Sequence, residues 1–141
     1  MINGEIAFVI SDSQALDISF HSGILPTKIV NKGDGIALGR KALQNRWLSI
    51  IKFNGQEEYL EKLEVMVNQL YDERDYITQL KAMYETVSID IYIRSEFAEI
   101  GYSLPHTIFK KLALIDCTMN FAILSFGLAP EEHQTDPKRF L

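Results

Sequence analysis

The sequence predicts an α+β fold, with one mixed β-sheet of four to five strands and helices packed mainly on one face. Three observations carry that expectation. Thr86–Arg94 (TVSIDIYIR) alternates strictly, with Val87, Ile89, Ile91 and Ile93 pointing one way and Ser88, Asp90, Tyr92 and Arg94 the other. Glu5–Ser11 (EIAFVIS) is apolar on both sides, Ile6, Phe8 and Ile10 against Ala7 and Val9, which suits a central strand covered on both faces. Between these strands Leu60, Leu63, Val67 and Leu70, then Ile77, Leu80 and Tyr84, recur at helical spacing.

After the first strand, Ser11, Asp12 and Ser13 offer helix N-caps. Ala15, Leu16, Ile18 and Phe20 then read as a short helix that Gly23 closes in a left-handed cap. Pro26 bars helical continuation, and Thr27–Val30 reads as a short edge strand. The whole stretch from Ser22 to Trp47 holds Gly23, Gly33, Gly35 and Gly39. Backbone freedom is concentrated there, so a loop-borne site is expected in it. Gly33-Asp34-Gly35 is a turn by composition, and Arg40–Arg46 is a loop or a single helical turn.

Trp47–Phe53 is the next strand, ended by Asn54-Gly55, and Asn54 with Glu57 resembles a capped helix start. The helical region divides at Asp72-Glu73-Arg74-Asp75, with Asp75 capping the second part, because an unbroken helix of roughly 29 residues is long for so small a domain. In Thr86–Arg94 the buried aliphatic row contributes on the order of 6–12 kcal/mol as an upper estimate. Ser103 or Pro105 opens a third helix, whose apolar side is Ile108, Phe109, Leu112 and Ala113. Cys117–Phe126 closes the sheet. Residues 1–127 form one domain and 128–141 a polar C-terminal tail, and the β-α-β-β-α-β order of the first part is ferredoxin-like.

With 141 residues the chain is long enough for one sizeable core, and 47% hydrophobic with 23% charged residues is a globular composition. A net charge of -5 and a pI near 5.2 argue against non-specific nucleic-acid binding and against anionic membrane surfaces, and suit a basic partner. Cys117 is the single cysteine, which leaves no disulfide framework and no cysteine metal cluster. The first residues lack the basic segment and long apolar run of a signal peptide, and no stretch approaches the ~20 apolar residues of a membrane span. A cytoplasmic location is expected.

The order of motifs resembles a bacterial family known as domain of unknown function 4279. The residues that carry the resemblance are Leu16 and Ile18, Gly23-Ile24-Leu25-Pro26-Thr27, Lys32-Gly33-Asp34 and Trp47. The long helical region, the alternating strand and the closing helix and strand fit it too, so that it spans roughly residues 5 to 126. The resemblance implies a fold and no established reaction, and no catalytic residue is carried over from it.

Several constellations compete as sites. Gly33, Asp34, Gly35 and Gly39, with Lys32, Arg40 and Lys41, invite a phosphate-loop reading in which backbone amides cradle an anion. A turn or hairpin is the ordinary alternative, since a dinucleotide site wants a firm strand before it and a helix opening inside it. His21, His106 and His133 have no metal-ligand spacing, and His21 reads as a cation at a helix C-terminus. Cys117 lies in an apolar strand and reads as an inert thiol. Glu57, Glu61 and Glu64, with Asp72, Glu73 and Asp75, form either a solvated helical face or an acidic patch for a basic partner. Asp90, Tyr92 and Arg94 project from the polar side of their strand. An ordinary polar sheet face is the alternative; tyrosine and arginine are favoured in binding hot spots, so that side is the preferred interaction surface if the helices leave it open.

No catalytic, metal or cofactor site is expected. The leading expectation is a small cytosolic protein-binding domain, in its most concrete form an immunity protein that neutralises a basic toxin. The competing expectation is a small-molecule or phosphate-binding domain or enzyme that uses Lys32, Gly33, Asp34, Gly35 and Arg40. A homodimer paired edge to edge through an exposed strand is compatible with either.

Overall fold

A computed structural model of the chain describes residues 2–97 and 101–128. The elements are β1 (Ile2–Asp12), β2 (Lys28–Val30), β3 (Asn45–Asn54), α1 (Gln56–Asp72), α2 (Arg74–Met83), β4 (Thr86–Phe97), α3 (His106–Ile115) and β5 (Thr118–Leu128), with one 3-10 turn at Ala37–Gly39. They build a mixed five-stranded sheet in the order β2-β3-β1-β4-β5. Neighbours are antiparallel except β4 and β5, which run parallel and are joined through α3, as a parallel pair requires a crossover. The α+β architecture read from the sequence is therefore the architecture observed.

Register decides what each face carries. Ile6 stands opposite Ile51 and Ile91, and Ile10 opposite Trp47 and Val87, so one face of the sheet is a continuous apolar layer. The stripe of α1 and α2 (Tyr59, Leu63, Val67, Leu70, Ile77 and Leu80) and Ile108, Leu112 and Ile115 of α3 pack onto it to form the main core. On the reverse face Ala7, Val9, Val30 and Leu48 gather under Ala42 of the β2–β3 loop, a second and much smaller cluster. Among the described residues no helix packs on the remainder of that face.

The break between α1 and α2 falls at Glu73, which lies between them at φ -104° and ψ 15°. Asp75 sits inside the first turn of α2 and does not cap it, correcting the expected assignment. Gly55, at φ 92°, takes the N-cap of α1 in place of Asn54. Pro105 takes that of α3.

The expected helix at Ala15–Phe20 is absent, and the segment is extended. Its apolar residues Leu16, Ile18 and Phe20 alternate with exposed Ala15, Asp17 and Ser19, a period of two that serves an extended chain better than a helix. Long-range partners take the backbone groups that a helix would have used. The Asp17 N–H donates to Tyr84 Oη at 2.8 Å and the Ser19 N–H to Tyr76 Oη at 3.0 Å. Phe20 inserts among Phe8, Trp47 and Tyr76, with ring centroids 6.0, 5.5 and 5.1 Å away. Asp12 caps a turn and not a helix, and His21 does not end a helix of its own segment, which corrects both expectations. The ferredoxin-like order of the first part loses its first helix accordingly. The Arg40–Arg46 segment contains no helical turn, because the 3-10 turn precedes it and β3 already begins at Asn45. Of the expected tail, Leu128 belongs to β5 and residues 129–141 lie outside the described residues. Among the described residues no helix is long and apolar enough to cross a membrane.

Candidate functional site: the uncovered sheet face

The uncovered face is built by the residues of β1, β3, β4 and β5 that alternate with the core. Rows across it follow from the register: Lys52, Glu5, Tyr92 and Ala122 form one, and Ile50, Ala7, Asp90 and Asn120 the next. Ala7 is short, and its flanking positions carry longer side chains. The middle of the face is consequently a groove of about 310 Å³. Ala7, Val9, Leu48 and Ile50 supply its apolar floor, while Glu5, Arg46, Asp90, Tyr92 and Asn120 supply polar walls.

Asp90 is fixed from two sides. Its Oδ1 accepts the Ser88 hydroxyl at 2.8 Å and the Asn120 side-chain amide at 2.9 Å, which ties β4 to β5 on this face. Beside it the Arg94 guanidinium lies 5.3 Å from the centroid of the Tyr92 ring, a cation–π arrangement that holds both long side chains against the sheet. The face mixes charges, with Glu5 and Asp90 near Arg46, Lys52 and Arg94. An apolar floor rimmed by oriented polar groups suits recognition of another surface.

The structure separates the acidic candidates from this groove. Glu57, Glu61 and Glu64 are exposed on the outside of α1, on the opposite side of the sheet. Asp72 and Asp75 are exposed at the α1–α2 junction, where with His21 and Tyr76 they line a shallow depression of about 310 Å³. Glu73 lines the same depression without being an exposed acid. It is 6% exposed, and its Oε1 accepts the Ser22 N–H at 2.7 Å, pinning the 13–27 segment to the helices. Asp90, Tyr92 and Arg94 are therefore one group and the helical acids another, and a single flat partner does not reach both.

The glycine loop is a closed hairpin. The Gly33 N–H donates to the Ala42 carbonyl at 2.8 Å, the Asp34 N–H to the Asn31 carbonyl at 3.0 Å and the Ala42 N–H to the Asp34 carbonyl at 2.8 Å. The Ile36 N–H donates to the Arg40 carbonyl at 2.8 Å, and Gly35 bridges Lys41. The Lys32 N–H donates to Asn45 Oδ1 and the Asn31 N–H to Asp34 Oδ2, each at 2.8 Å. An anion cradle needs several free amides that converge, and the Gly33, Asp34, Ile36 and Ala42 amides are taken within the hairpin while that of Lys32 is taken by β3. Lys32, Asp34 and Arg40 remain as exposed side chains.

Cys117 is half-buried just before β5. Burial pushes its thiol up to about 11, with Lys81 opposing and Asp116 adding to the shift. Such a thiol is a poor nucleophile near neutrality. Among the described residues no group of three or more His, Cys, Asp or Glu side chains is arranged to hold a metal ion. His133 lies outside the described residues.

Glu5, Arg46 and Asn120 also line the groove, and sequence reasoning does not single them out. Asn120 is adjacent to Asp90 only through the parallel register of β5 on β4, a pairing that no local pattern encodes. For Glu5, the one charged residue on the Ala7–Val9 side of β1, a signal was present.

Comparison with curated proteins and with solved structures returns no match. The model of a domain of unknown function (DUF4279) matches residues 3–126, which include every strand and helix of the sheet core up to Phe126, and the chain belongs to that family.

Proposed function

We propose that the chain is a protein-binding domain without a reaction of its own, and that its partner docks on the uncovered sheet face. One observation supports this above the others: the groove over Ala7, Val9 and Ile50 is rimmed by a stacked Tyr92–Arg94 pair and by the braced Asp90. Tyrosine and arginine beside a small apolar floor are the composition of interface hot spots. The most concrete form of this reading is a cytoplasmic immunity protein that binds and neutralises a toxin. A basic toxin is favoured by the net charge of -5, which speeds encounter with a positively charged protein. Protein binding is preferred over a ligand role for the Gly33–Gly39 loop because the Gly33, Asp34 and Ile36 amides are bound within the hairpin.

The test is affinity capture with the wild-type chain and two variants, read by mass spectrometry. Tyr92→Ala should lose a partner that the wild type retains, and co-expression should protect cells only where capture persists. Reversal of Glu57, Glu61 and Glu64 to lysine should slow association and leave the complex intact, since those acids lie on the other side of the sheet. A partner held equally by wild type and Tyr92→Ala would refute docking on the sheet face.

A further inference from the structure

We propose that the hairpin between β2 and β3 is a membrane-docking wedge, whose aliphatic tip enters the surface of a bilayer that contains anionic phospholipid. The chain is acidic as a whole, but its charges are not evenly spread. Lys28, Lys32, Arg40, Lys41 and Arg46 stand in and beside the hairpin against the single acid Asp34, so this segment carries +4 and the remainder of the chain -9. All five cations are exposed, and among the described residues none of them is in an ion pair. The net charge of -5, which argues against anionic surfaces for the molecule as a whole, is thus an average over two regions of opposite sign.

The same segment exposes aliphatic side chains. Ile36 is 47%, Leu38 89% and Leu43 83% exposed. Leu38 sits at the tip with φ 63° and ψ 33°, a left-handed conformation that a bulky side chain takes only at a cost. Glycine or asparagine would make that turn with less strain, and burial does not reward leucine there, so the fold gives no reason for the residue. The three aliphatics are not on one side of the hairpin. Ala42 turns in toward the sheet, Leu43 next to it turns away, and Ile36, bonded across the hairpin to Arg40, stands on the Ala42 side. Apolar side chains on both sides and at the tip make a wedge.

Shape, backbone pairing and charge together name a lipid surface as the occupant. A flat protein surface would cover one side of the hairpin, whereas a bilayer receives the tip and both sides together. Backbone groups that enter an apolar medium must be satisfied internally, and the Gly33, Asp34, Ile36 and Ala42 N–H groups already donate to carbonyls of the hairpin itself. Lys32, Arg40 and Lys41 flank the tip on long stems, so their charges meet lipid phosphates while the aliphatics insert. The acidic remainder of the chain is repelled from the same surface, which makes the hairpin the leading end. Of these residues only Arg46 lines the sheet groove, so this inference is independent of the partner proposed above.

Co-sedimentation of the full chain with vesicles tests it. Phosphatidylcholine vesicles containing about one-third phosphatidylglycerol should retain the protein at low salt, pure phosphatidylcholine should not, and added salt should release it as the cations are screened. Leu38→Asn suits the left-handed turn and removes the inserted side chain. It should weaken vesicle binding about 10-fold or more, with a melting temperature no lower than that of the wild type. Arg40→Gln and Lys41→Gln should each weaken binding about 5-fold. Val65→Asn on the exposed side of α1 should bind like the wild type. Failure to bind the anionic vesicles at low salt, equal retention by pure phosphatidylcholine, or undiminished binding by folded Leu38→Asn overturns the proposal. Retention on poly-glutamate without vesicle binding overturns it as well and assigns the hairpin to an acidic protein.

Discussion

Gly4 and the Tyr92 carbonyl lie so close across β1 and β4 that a Cβ at residue 4 would sit 1.8 Å from that oxygen. The glycine is thus a condition for the β1–β4 pairing, and Tyr92 is the residue whose ring rims the groove. Gly4→Ala should cost about 3 kcal/mol or more, because a rigid backbone carbonyl has to move and a flexible side chain cannot absorb the clash. Urea unfolding measures the loss. Partner capture by the surviving folded fraction should fall as well, since the displaced strand carries Tyr92.

Asp12 organises the turn out of β1. Its carboxyl lies below its ordinary value of 3.8, held there first by the Gln14 backbone N–H and then by the Glu85 N–H and the side chains of Gln14 and Ser13, against the opposing effect of burial. A carboxyl with a depressed folded-state value contributes stability that is present above its unfolded value and is lost as pH falls through the folded one. Asp12→Asn should therefore lower the melting temperature at pH 7 and flatten its decline between about pH 5 and pH 2. Melting curves across that window give the answer, and an unchanged acid limb would count against the assignment.

Tyr59 is fully buried in the core, and its hydroxyl has no hydrogen-bond partner among the described residues. Burial, with Tyr102 nearby, pushes the phenol up to about 12. Tyr59→Phe keeps the edge-on ring contacts to Phe53 and Tyr102, at 5.2 and 6.1 Å, and removes the stranded oxygen. It should stabilise the protein by about 1 kcal/mol, where most core substitutions destabilise. Paired denaturation curves decide the sign.

Cys117 should react slowly. With its thiol near 11, the thiolate fraction at pH 8 is roughly two orders of magnitude below that of a free cysteine, and alkylation should slow in proportion. Iodoacetamide kinetics on native and denatured chain provide the comparison. Equal rates in the two states would contradict the burial assigned here.

Glu73 joins two parts of the chain through its contact with the Ser22 N–H. Glu73→Ala should cost about 1.5–3 kcal/mol, the range for a hydrogen bond to a charged group. Hydrogen exchange should show residues 13–27 opening before the sheet does.

The sequence by itself determined the sheet and its helices. Strict alternation in Thr86–Arg94, two-sided apolarity in Glu5–Ser11 and the 3.6-residue stripe through Leu63, Val67, Leu70, Ile77 and Leu80 are local patterns, and each appears in the structure as read. The Asp90, Tyr92 and Arg94 side of β4 was legible for the same reason. Tertiary structure alone decided the rest, because the deciding partners are distant in the chain. Ala15–Phe20 is extended because Tyr76 and Tyr84 take its amides from some 57 to 67 residues away. Glu73 is interior because Ser22 reaches it, while its exposed neighbours Asp72 and Asp75 look the same in sequence. The groove exists because register sets Ala7 beside Asp90 and Asn120, and register is a property of paired strands that no single segment contains.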